Sequence, residues 1–81
     1  MDINQATAEV EALVTAFQSS GHAAREVRVR PSGDDADHIK VWADLGPGVD
    51  DAACDAWAAA CKAAIASTVG AFQVEVRAES L

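Results

Sequence analysis

Two runs of strict apolar–polar alternation, residues 25–30 (REVRVR) and 38–45 (HIKVWADL), flank a short polar stretch. Period-two patterning belongs to a strand with one buried face and one wet face, and two such runs around a turn make a β-hairpin. In the first run Val27 and Val29 point one way, and Glu26, Arg28 and Arg30 the other. Pro31 ends it, because proline has no N–H to give a ladder. Ser32 to Asp37 is a polar turn containing Gly33. In the second run Ile39, Val41, Ala43 and Leu45 are expected inward, and His38, Lys40, Trp42 and Asp44 outward. A third alternating run covers 71–78, with Phe72, Val74, Val76 and Ala78 inward and Gln73, Glu75 and Arg77 outward.

Helical spacing governs the rest. Over 2–20, Ile3, Ala6, Val10, Leu13, Val14 and Phe17 form one apolar stripe. Asp2 is a suitable N-cap with Gln5 three residues on, as in a capping box. Ser19, Ser20 and Gly21 supply the stop, with Gly21 able to take the left-handed C′ conformation. Gly46, Pro47 and Gly48 break the chain after the hairpin. Residues 50–69 then read as a second helix, with Asp50, Asp51 and Asp55 near its positive N-terminal end. Its stripe is Cys54, Trp57, Ala58, Cys61, Ile65 and Val69, and Gly70 follows as a C-cap.

The element order is therefore α-β-β-α-β, an α+β fold. Burying every apolar face at once puts two helices on one face of a three-stranded sheet. If the strands joined through the second helix are parallel, that crossover is right-handed. The strand order stays open: the last strand pairs beside the second or beside the first. The element order is similar to that of the cytoplasmic domains of cation-efflux transporters, the lipid-associated BON domains and a trimmed ferredoxin-like fold. The resemblance is one of topology, and no motif of those families accompanies it.

With 81 residues there is room for one core and no second domain. Hydrophobic residues make up 51% of the chain, but nineteen of them are alanines, so the core is thin. A thin core gains from a second subunit, and a homodimer is expected. The net charge of −7 argues against direct binding to nucleic acid or to an anionic membrane surface, where basic residues supply the affinity. It fits either plain solubility or a basic protein partner. No apolar run approaches the roughly 20 residues of a membrane span, and no signal peptide opens the chain, so a cytoplasmic location is expected. Cys54 and Cys61 lie seven residues apart on one helix, about 10.5 Å of rise, too far for a disulfide. They read as reduced core thiols.

Catalytic and metal-binding patterns are weak. His22, His38, Asp34, Asp35, Asp37, Cys54 and Cys61 include no pair at zinc-ligand spacing, and the turn lacks the length and terminal glutamate of a calcium loop. No metal and no cofactor is expected. Asp50, Asp51 and Asp55 oppose thiolate formation at Cys54, and there is no nucleophile elbow, phosphate loop or dinucleotide fingerprint. The expectation is that the chain is not an enzyme.

The outward face of the sheet is the most informative surface. Trp42 stands there with Arg28, Arg30 and Lys40, and Trp and Arg are enriched at interface hot spots. Two readings stay open for Trp42. It docks on a protein partner or a second copy, or it packs among the alkyl stems of Lys40 and Arg28. The functional expectation is a protein–protein interaction module using Trp42, Arg28, Arg30 and Lys40, with Asp34, Asp35 and Asp37 steering a basic target. A small acidic inhibitor of a nucleic-acid-binding protein fits this composition. The alternative is a small-ligand or metal-responsive regulatory domain centred on His38 and the neighbouring aspartates.

Overall fold

A computed structural model of the chain describes residues 2–33, 36–66, 70 and 72–81. Helix α1 spans Ile3–Ser19, strand β1 Glu26–Pro31, strand β2 His38–Asp44, helix α2 Asp51–Ile65 and strand β3 Gln73–Glu79. Both helices pack on the sheet, as the distribution of apolar faces requires. The order β1-β2-β3 places β3 beside β2 and resolves the choice that periodicity leaves open. β1 and β2 are antiparallel, and β2 and β3 are parallel with α2 as the crossover.

Local chemistry sets the element ends. The Asp2 carboxylate accepts from the Gln5 N–H at 2.8 Å, and the Gln5 side chain accepts from the Asp2 N–H at 3.2 Å, closing the capping box. Ser20 caps the C-terminus of α1, and Gly21 follows at φ +105°, a left-handed conformation that favours glycine. Asp50 is the N-cap of α2, its carboxylate accepting from the Ala53 N–H at 2.8 Å. The helix is shorter than its apolar stripe suggests: it closes at Ile65 with Ala66 as C-cap, not at Gly70. Val69 lies outside the described residues. Pro31 is the last residue of β1, an edge strand, where a missing N–H is tolerated.

The core forms where three apolar faces meet. Ala6, Val10, Val14 and Phe17 come from α1, Ile39, Val41 and Ala43 from the central strand, and Trp57, Cys61 and Ile65 from α2. Val27, Val29, Val74, Val76 and Leu45 are half-buried against them. The connection after α1 is tied in by aromatic contacts. His22 stacks on Phe17 at 4.1 Å, Phe17 meets Trp57 edge-on at 5.2 Å, and the Trp57 indole N–H donates to the His22 carbonyl at 3.0 Å.

Both cysteines are buried and unpaired with one another. Burial pushes the Cys61 thiol up to about 11. Cys54 is raised by burial and then by the carboxylates of Asp51, Asp55 and Asp50. A thiol whose folded pKa lies above its unfolded value contributes stability that is complete below the unfolded pKa and is lost as pH rises through the folded one. For Cys61 that window runs from about 9 to about 11. We expect Cys61→Ala to flatten the fall of stability across it, and native Cys61 to react slowly with a thiol reagent at neutral pH. Denaturation series from pH 8 to pH 11, with timed labelling, check both, and an unaltered alkaline profile with rapid labelling contradicts them.

One residue expected to be wet is buried. Alternation puts Asp44 on the wet face, but it is buried, with 2% of its surface exposed. Its position at the end of β2 explains this, because the chain turns back at Gly46 and the C-terminal residues close over it. Asp44 accepts from the Gly46 N–H at 2.8 Å, the Arg25 Nε–H at 2.8 Å and the Leu81 N–H at 3.2 Å. The Gly46 N–H, then the Arg25 guanidinium and the Leu81 N–H, hold its carboxyl below the ordinary carboxylate value despite burial. The C-terminal residues complete this clasp. The Ser80 hydroxyl donates to the Gly46 carbonyl at 2.6 Å and accepts from the Val49 N–H at 3.1 Å, and the Leu45 N–H donates to the Glu79 carbonyl at 2.8 Å.

Candidate functional site: the outer sheet face

Strand register sorts the outward side chains into rows. Arg28, Trp42 and Arg77 are cross-strand neighbours, and the next row holds Arg30, Lys40 and Glu75. Since the inward rows meet the helices, these rows face away from both. No other described element covers them.

Trp42 is half-buried rather than bare. Its indole N–H donates to the Glu79 carboxylate at 2.7 Å, and the Arg28 guanidinium carbon lies 5.4 Å from the ring centroid. Such a cation–π contact fixes the ring's outer side against a planar cation. Glu79 also meets Arg77 at 3.3 Å, and Arg28 meets Glu26 at 3.0 Å. The indole is thus held in one orientation from two sides. Packing among charged stems and presentation to a partner are not alternatives here, because the same contacts that steady the ring leave part of it open.

Arg28, Arg30, Lys40 and Trp42 come together around a cleft of about 500 Å³ whose far wall is Pro31, Ser32 and Gly33. Asp37 is exposed at the end of the turn, where its carbonyl accepts from the Gln73 N–H at 2.8 Å, and it does not line the cleft. Asp34 and Asp35 lie outside the described residues.

Charge is distributed unevenly. Arg28, Arg30, Lys40 and Arg77 are four of the chain's six cationic residues, and the same face carries three exposed or half-buried carboxylates, Glu26, Glu75 and Glu79. The face is therefore slightly basic on a chain of net charge −7. Sequence reasoning missed Glu79, the acceptor that orients Trp42, because pairing of β3 with β2 is a tertiary choice with no local signal. Parity along β3 was the only available hint.

Other chemistry is sparse. Among the described residues no group of three or more His, Cys, Asp or Glu is arranged to hold a metal ion. His38 approaches Glu75 at 3.9 Å. Among the described residues no helix is long and apolar enough to cross a membrane. No protein-family model, no curated protein and no solved structure matches the chain.

Proposed function

We propose that the chain is a non-enzymatic protein-binding module that engages a protein partner, or a second copy of itself, through the outer face of its sheet. The observation that carries this reading is Trp42. A large aromatic, oriented by Glu79 and Arg28, stands in the middle of a face that no described element covers. Oriented aromatics flanked by arginine are the side chains that dominate binding energy at protein interfaces. Away from this face acids greatly outnumber cations, a field that draws in a basic protein and repels nucleic acid. A small acidic inhibitor of a basic, nucleic-acid-binding protein has this profile.

Trp42→Ala tests the reading. Losing the indole hydrogen bond and its packing should cost about 1–2 kcal/mol of folding stability. Loss of a hot spot should cost 2 kcal/mol or more of binding, about 30-fold in affinity. Sedimentation equilibrium reads self-association, affinity capture reads the partner, and a urea series shows that the variant is folded. A folded variant with unchanged self-association and unchanged partner affinity overturns the proposal.

A further inference from the structure

We infer that the cleft beside Trp42 receives carboxylate groups from an acidic segment of the protein partner, with Arg30 and Lys40 as the anchoring cations. This rests on the sheet face being the protein-binding surface. Every other cation of the sheet is matched within the chain: Arg25 by Asp44, Arg28 by Glu26, and Arg77 by Glu79. Arg30 and Lys40 have no carboxylate partner among the described residues. They are also register partners, placed directly opposite each other on neighbouring strands. Like charges in that position destabilise a sheet. Glu75 is Lys40's neighbour on β3, but its carboxylate turns to the His38 imidazole, at 3.9 Å, and makes no ion pair with Lys40. Among the described residues two adjacent cations are thus without an ion pair, and both line the cleft beside Trp42.

The chemistry of the cleft fits a carboxylate. The guanidinium of Arg30 offers a planar fork matched to two oxygens, and the Lys40 ammonium offers a second, mobile donor. The open part of the indole gives the segment's apolar atoms a surface. A nucleic-acid strand suits the site less. Its repeating phosphates would run from the two cations onto Glu26, Glu75 and Glu79, on a chain whose net charge is −7. A protein segment places one or two carboxylates and need carry no charge beyond them. Attraction at long range follows the net charge and selects a basic partner, whereas docking in the cleft follows the local charge and selects an acidic patch on it.

The test uses the full chain and a short capped peptide with two adjacent glutamates in a Gly/Ser frame, followed by NMR. The expected result is a saturable shift of the Trp42 indole N–H and of the amides of Arg30 and Lys40. The peptide with glutamine in place of glutamate should leave them unmoved. Affinity should fall about tenfold or more in the Arg30→Glu/Lys40→Glu double variant, and also in Arg30→Gln/Lys40→Gln, which keeps side-chain size if the reversal disturbs folding. Added salt should weaken binding, and Lys62→Glu on α2 should not. No saturable shift, equal binding of the glutamine peptide, or unchanged affinity in the double variants overturns the inference. Tighter binding of oligothymidylate in the same cleft overturns it in favour of nucleic acid. If Trp42→Ala abolishes partner capture while both double variants retain it, protein binding through the sheet stands and the acidic contact falls.

Discussion

Ile39→Ala is expected to cost about 2–5 kcal/mol of folding stability, the range for deleting a large buried aliphatic side chain. Ile39 is fully buried on the central strand, between Pro31 and Val74 in register and within the shared core cluster. The cost is large against the whole. A domain of this length is held by about 4–12 kcal/mol, so the loss removes a major share of it. The core has few other large fully buried side chains to compensate, chiefly Ile65, Val10, Val14 and Val41. Urea denaturation should show the midpoint falling with little change in slope, the mark of lost stability in an otherwise similar fold. A loss below about 1 kcal/mol would mean that Ile39 does not sit at the centre of the packing.

Asp44→Asn should open the clasp between β2 and the C-terminus and change how the protein responds to acid. An amide keeps an acceptor for the Gly46 N–H but loses the charge that Arg25 meets, and its NH2 group directs hydrogens at donors. The pH signature separates this site from general loss of stability. The folded carboxyl lies below its ordinary value of 3.8, so the unfolded chain takes up a proton first as pH falls. Its contribution is therefore complete above the unfolded pKa and is lost as pH drops below 3.8 through the folded pKa. The variant should be weaker at neutral pH and should lack that segment of the acid profile. Ser80→Ala, which removes the two hydroxyl bonds to the same turn, should cost about 1–2 kcal/mol. Denaturation series from pH 7 to pH 2 measure these effects. Parallel profiles for wild type and Asp44→Asn would show that Asp44 is not held as described.

These residues also show what was legible in the sequence. The capping box at Asp2 and Gln5, the hairpin and the inward face of each strand depend on contacts close in the chain or on parity, and both can be read from residue order. Asp44 could not be read that way. Parity counts positions along an uninterrupted strand, and Asp44 is the residue at which β2 ends and the chain folds back through Gly46. Its surroundings come from Arg25 and Leu81, nineteen residues earlier and thirty-seven residues later. The extent of α2 differs for a related reason: apolar spacing alone carries no signal for the cap at Ala66, where the helix closes after Ile65. At the candidate site, Trp42, Arg28, Arg30 and Lys40 were legible as a group because they share one hairpin. Glu79 was not, since only the parallel pairing of β2 with β3 brings its carboxylate to the indole.

Site-specific photo-crosslinking measures most directly which surface binds. A photoreactive amino acid is placed at position 73, exposed on the outer face of β3, and in separate samples at position 8, exposed on α1. The full chain is irradiated in the cells that express it, and adducts are identified by mass spectrometry. The account predicts a discrete adduct with a protein partner or a second copy from position 73, lost on Trp42→Ala, and none from position 8. Adducts from position 8 alone, or adducts from position 73 that persist without Trp42, would contradict it.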